Sequence, residues 1–88
     1  MAEYLLEIYA SRTDPAGVEA GAERARRAAD ALAGVRFVRT VFVPEDETCF
    51  YLYEAASEEV VREAAERAEL RVERIVEAIT PRGEGAPM

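Results

Sequence analysis

Apolar residues alternate with polar ones from Tyr4 to Tyr9, recur at helical spacing from Pro15 to Leu32, and crowd together from Val35 to Val43. The same order then repeats, with Thr48–Glu54, Ser57–Ala68 and Val72–Ile79. Each copy predicts a strand, a helix and a strand. In the first strand Tyr4, Leu6 and Ile8 share one face, while Leu5, Glu7 and Tyr9 share the other. Asp14-Pro15 reads as a helix cap followed by proline at the first helical position. Val18, Ala22, Ala25, Ala29 and Leu32 then form a narrow apolar stripe, and Gly34 supplies the left-handed stop. Ser57 caps the second helix, whose stripe is Val61, Ala64, Ala65 and Ala68. Glu58/Arg62, Arg62/Glu66 and Glu63/Arg67 are spaced as charge pairs on its wet side.

Pro44-Glu45-Asp46-Glu47 is short and polar, so the two strands that flank it form an antiparallel hairpin. Two right-handed strand–helix–strand units joined in this way predict an α+β fold of ferredoxin-like type. Its order is βαββαβ, with a four-stranded antiparallel sheet in the order 4-1-3-2 and both helices on one face. The domain is expected to span 1–79, with 80–88 as a flexible tail. No helix covers the other sheet face, and the core is thin and rich in Ala. Both features predict a homodimer, a dimeric α/β barrel in which a second copy or a ligand covers the bare face.

Composition narrows the partners. Eighteen acidic residues oppose eleven basic ones, all Arg, for a net charge of −7, and histidine is absent. Such a field repels phosphate backbones and anionic lipid, so neither nucleic acid nor a membrane is an expected partner. The one cysteine, Cys49, has no partner for an internal disulfide, and the first strand starts without a leader-like segment. No apolar run reaches the roughly 20 residues that span a bilayer. A cytoplasmic location is the expectation.

The candidate chemistry gathers on the expected bare face. If Phe50 and Leu52 point toward the helices, then Cys49, Tyr51 and Tyr53 join Glu7 and Tyr9 on the other side, with Arg39 as a neighbour. A carboxylate among phenols under a second subunit has a raised pKa and acts as an acid, a base or a ligand anchor. The structural alternative pairs Glu7 with an arginine and uses the tyrosines as interface filler. Glu54 ties down a corner or holds an Arg, and Glu45-Asp46-Glu47 is a solvated turn without the spacing of a calcium loop. Cys49 has no histidine to activate it and reads as a packed strand residue.

Several stretches together resemble one family of small bacterial proteins. They are Tyr4-Leu5-Leu6-Glu7, Val35-Arg36-Phe37-Val38, Cys49 through Ala56 with its Leu52-Tyr53-Glu54-Ala55, Arg62-Glu63-Ala64-Ala65, Arg67-Ala68 and Arg74-Ile75. That ferredoxin-like family has no general function assigned and includes a nickel-binding member. The resemblance implies a dimer that binds a divalent metal such as nickel. The chain departs from the family's pattern at Ala64, where relatives carry histidine, at Tyr51, where cysteine is common, and at Phe37, where tryptophan is. The expectation is therefore a binding protein with a metal or small molecule at the open sheet face. One alternative is a cofactor-independent monooxygenase, cyclase or isomerase with Glu7 as base, Tyr51 and Tyr53 orienting substrate, and Arg39 holding an oxyanion. The other is a structural dimerisation module.

Overall fold

A computed structural model describes residues 1–81 of the chain. Strand β1 (Ala2–Tyr9) leads to helix α1 (Pro15–Asp30), then β2 (Val35–Val43), β3 (Thr48–Ala55), helix α2 (Glu58–Arg67) and β4 (Val72–Ala78). The strands form one antiparallel sheet in the order β2-β3-β1-β4, the ferredoxin-like arrangement expected from the doubled pattern. Both N-terminal caps act as read: the Asp14 carboxylate accepts from the Gly17 N–H at 3.0 Å, and the Ser57 hydroxyl accepts from the Val60 N–H at 3.4 Å. Helix α1 stops before the position expected from Gly34: it closes at Asp30 with Ala31 as a right-handed cap, and Gly34 takes φ +80° in the turn that follows. Glu58–Arg62 and Glu63–Arg67 pair across the wet side of α2 at 3.0 and 3.2 Å. Arg62 and Glu66 do not pair among the described residues.

The turn between β2 and β3 is a short 3-10 segment, Pro44–Asp46, closed by Glu47 in the left-handed region at φ 48°. Of the tail expected over 80–88, Thr80 is tied to the sheet by donating its hydroxyl to Glu3 at 2.8 Å, and residues 82–88 lie outside the described ones.

Bulk in the core comes from the sheet. The helices contribute Ala25, Ala28, Ala29, Ala64, Ala65 and Val61, while the largest fully buried side chains are Tyr51 and Tyr53. Alanine-faced helices leave a deep gap above the sheet, and close packing then requires long side chains from below. Phe37 meets both phenol rings edge-on, with centroids 5.7 and 5.6 Å apart.

This packing overturns one expectation. Leu6 lies opposite Tyr51, Tyr4 opposite Tyr53 and Ile8 opposite Cys49, so Cys49, Tyr51 and Tyr53 point under the helices, and Phe50 and Leu52 point to the bare face. Both faces of β3 are apolar, so alternation alone did not say which was inside. Volume decided it, and phenols filled the space that phenylalanine and leucine were expected to take.

A bulge at Val38 completes the bare face. Phe37 pairs with Tyr53 but Arg39 pairs with Leu52, so the extra residue turns Arg39 away from the helices.

Candidate functional site

The six candidate residues divide between the two faces of the sheet. Glu7 is on the bare face, flanked by Phe50 of β3 and Arg74 of β4. Arg39 shares that face, but β3 lies between its strand and that of Glu7. Around them Leu5, Val41, Leu52 and Val76 form an apolar centre. At its edge Arg36 grips Glu54 at 2.7 Å, the corner tie expected for Glu54. Tyr9 is 62% exposed, and its hydroxyl donates to Glu47 at 3.4 Å. Glu47 also accepts from the Arg12 N–H at 3.1 Å, so the acidic turn is held by hydrogen bonds within the fold. Glu7 therefore has no phenol from β3 beside it. The base-and-tyrosine arrangement of the enzyme alternative does not form.

The other three candidates meet under the helices, and here the structure shows a site that the sequence reading missed. A cleft of about 460 Å³ runs along α1, between it and the turn from α2 to β4. Ile8, Val18 and Leu70 give it apolar walls, and Cys49, Tyr51 and Arg24 also line it. Tyr51 is wholly buried, and its hydroxyl has no hydrogen-bond partner. The Cys49 thiol lies close enough to influence its ionisation but does not meet it in hydrogen-bond geometry, and a thiol is a weak partner in any case. Burial, then the neighbouring thiol, push the Tyr51 pKa up to about 12 against the pull of the Arg24 guanidinium. Burial likewise raises the Cys49 thiol. At neutral pH both groups are uncharged. Tyr51 is a hydrogen-bond donor waiting for an acceptor, and Cys49 is not a ready nucleophile.

Tyr53, deeper in the core, also has an unpartnered hydroxyl, and burial raises its pKa strongly. It does not line the cleft.

Gly21 makes the room for Tyr51. A β-carbon at Gly21 would lie 2.8 Å from the Tyr51 hydroxyl, a separation that real side chains do not adopt. Glycine within a helix costs about 1 kcal/mol relative to alanine. That cost was the readable signal in the sequence: a glycine inside an Ala-rich helical pattern marks a close approach. Arg24, one turn further along α1, donates its Nε–H to the Ala68 carbonyl at 3.1 Å. It makes no ion pair with a carboxylate among the described residues.

A metal centre fits poorly. Among the described residues no group of three or more His, Cys, Asp or Glu side chains is placed to hold a metal ion. Imidazole suits nickel, as do square-planar sets of nitrogen and oxygen donors. This chain has no histidine and one buried thiol held protonated. No helix among the described residues is long and apolar enough to cross a membrane.

The fold is shared with a solved protein. The chain superposes on the crystal structure of SCO4226 from Streptomyces coelicolor A3(2) with a TM-score of 0.74 at 22% identity, covering 91% of this chain and 99% of that one. A search of the curated proteins found no match. A family model described as "Nickel responsive protein SCO4226-like" matches residues 9–78.

Proposed function

The chain belongs to the family of SCO4226-like nickel-responsive proteins, and from that premise we propose that it is a non-catalytic homodimer that binds a small organic molecule in the cleft along α1. One observation carries the ligand reading. The Tyr51 hydroxyl, wholly buried and without a partner, sits at a cleft of about 460 Å³, and a helical glycine gives it room. An unmade hydrogen bond to a buried hydroxyl costs about 1–3 kcal/mol, and a bound acceptor recovers it. The cleft also has the size of small-molecule sites in general.

The dimer reading is supported by the bare face, where Leu5, Val41, Phe50, Leu52 and Val76 share one side of the sheet without a helix above them. A reducing, cytoplasmic setting suits the one free thiol. The family description names nickel, but the donors in this chain do not suit that ion, so the ligand assigned to it is organic.

Native mass spectrometry of the purified protein, followed by calorimetric titration with nickel, tests both parts. The expected spectrum shows a dimer that releases a small organic mass on denaturation, and the titration shows no heat of binding at micromolar nickel. A monomer would remove the dimer. Stoichiometric nickel at micromolar affinity would remove the organic ligand.

A further inference from the structure

We infer that the cleft along α1 is a site for a small organic carboxylate, with Tyr51 and Arg24 as the paired donors to its oxygens. The inference rests on the organic-ligand reading above and names its chemistry. Two donors converge at the Gly21 notch. The Tyr51 hydroxyl and Arg24 Nη2 lie 2.8 and 3.9 Å from the position a β-carbon on Gly21 would occupy. One is neutral and the other charged, and neither has an acceptor at that point. The Arg24 Nε–H is spent on the Ala68 carbonyl, which fixes the guanidinium plane and leaves its terminal nitrogens for a second partner. A carboxylate accepts from both kinds of donor at once, and bonds to a guanidinium are roughly twice as strong as neutral ones.

The charges lining the cleft agree. Its carboxylates are Asp14 and Glu69, and Asp14 is engaged in capping the Gly17 N–H. Glu69 is exposed, and Arg71 beside it is a second cation at the cleft. The body of the ligand rests on Ile8, Val18 and Leu70, so it is apolar and compact, as in an aromatic or short branched acid. The Tyr51 hydroxyl is shielded from water, so a carboxylate meets it at the Gly21 notch only when the exposed Arg24 side chain or the phenol shifts to admit it. A cation is the wrong ligand for this end of the cleft, because a guanidinium faces it. Arg24 is itself exposed, so a neutral ligand would leave its guanidinium to water and gain nothing from its charge.

The probes are benzoate and its neutral counterpart benzamide, titrated into the 15N-labelled full-length protein at physiological salt and followed by amide chemical shifts. Benzoate is expected to move the amides of Gly21, Arg24 and Leu70, and to bind more tightly than benzamide. Arg24→Gln should weaken benzoate about 10- to 100-fold, while benzamide changes by less than about twofold. Arg24→Lys, which keeps the charge but not the fork, should fall between, and Tyr51→Phe should weaken both probes. Equal binding of the two probes at these amides would overturn the carboxylate and leave the organic-ligand reading standing. Shifts absent from the cleft with both probes at millimolar concentration would overturn the two together. Benzoate shifts confined to the exposed arginines of α2 would do the same. The spectrum of each variant also reports whether it is folded, so a lost fold cannot pass for lost binding.

Discussion

The two faces of the sheet are built from the same strands and filled by opposite rules. Under the helices β3 contributes Cys49, Tyr51 and Tyr53, all fully buried, with two hydroxyls lacking partners. On the open side the same strand contributes Phe50, Leu52 and Glu54, half-buried, with Glu54 paired to Arg36. On this strand two phenols and a thiol lie on the dry side. Volume explains the placement: alanine-faced helices need long side chains beneath them, and tyrosine supplies length and apolar body at the cost of a stranded hydroxyl. The covered face thus carries an unmet hydrogen-bonding demand, and the open face carries unmet burial. Each demand points to a different kind of partner, a small ligand for the first and a protein surface for the second.

Truncation should separate the faces most widely. Leu6→Ala, at a site with no exposed surface, is expected to cost about 2–5 kcal/mol in urea unfolding, since the cavity it leaves is hemmed in by the sheet and both helices. Leu52→Ala should cost about 1 kcal/mol or less in the monomer, because its side chain is half-exposed. Its main effect should be a shift from dimer to monomer in light scattering at low micromolar concentration. Equal losses of stability with an unchanged oligomeric state would erase the distinction between the faces.

The stranded phenols give the next largest effect. Tyr51 has its pKa pushed up from the ordinary 10.0 to about 12, with burial as the main cause. Folding therefore favours the protonated phenol, and its contribution is fully present below about pH 10. It fades as the pH rises through about 12, because the unfolded chain loses its proton first. A two-unit shift corresponds to about 2–3 kcal/mol at the alkaline limit. Stability measured by urea titration at stepped pH should fall over this window in the parent. It should fall less steeply in Tyr51→Phe, the remaining slope coming largely from Tyr53, whose pKa burial also raises. Parallel slopes would mean that the Tyr51 hydroxyl is wetter than its surroundings indicate.

Much of this architecture was legible in the sequence, and the faces were not. The strands, both helix N-caps, the left-handed turn at Gly34 and the sheet order follow from spacing and local chemistry, which act over a few residues. Which side of β3 faces inward depends on how much space α1 and α2 leave, and that is a property of the assembled layers. The bulge at Val38 is likewise invisible in the string Val-Arg-Phe-Val-Arg, where strict alternation would put Phe37 and Arg39 on the same side. Of the six candidate residues, Cys49 and Tyr51 do line the cleft together, although on the opposite face from the one expected. Tyr9 touches its rim, whereas Glu7 and Arg39 stay on the bare side. Arg24 lies off the apolar stripe of α1 and Gly21 carries no side chain, so the hydrophobic pattern marks neither.

Gly21 offers a test confined to the covered face. Gly21→Ala places a methyl group 2.8 Å from the Tyr51 hydroxyl, so it should destabilise by about 1–3 kcal/mol despite the better helix propensity of alanine. With Tyr51→Phe already in place the clash is gone. The same substitution should then become neutral or stabilise by up to about 1 kcal/mol. A double-mutant cycle in thermal or urea unfolding reads the coupling directly. A value near zero would show that the notch at Gly21 exists for some reason other than the phenol.

The smallest effect belongs to the open face and sharpens what covers it. Arg36 and Glu54 meet at 2.7 Å on neighbouring strands, with side chains 63% and 35% exposed. Left in water, such a pair contributes about 0.2–1 kcal/mol and weakens with salt. A cycle of Arg36→Gln and Glu54→Gln, measured at high dilution, should return a coupling in that range that shrinks toward zero at 1 M salt. Repeated at high protein concentration, the coupling should exceed the free-surface value and resist salt, because a second sheet laid against this face lowers the dielectric around the pair. The concentration dependence is the decisive part. A coupling that stays small and salt-sensitive at every concentration would place the pair in solvent permanently, and the partner of this face would then have to be sought elsewhere than in a second copy of the chain.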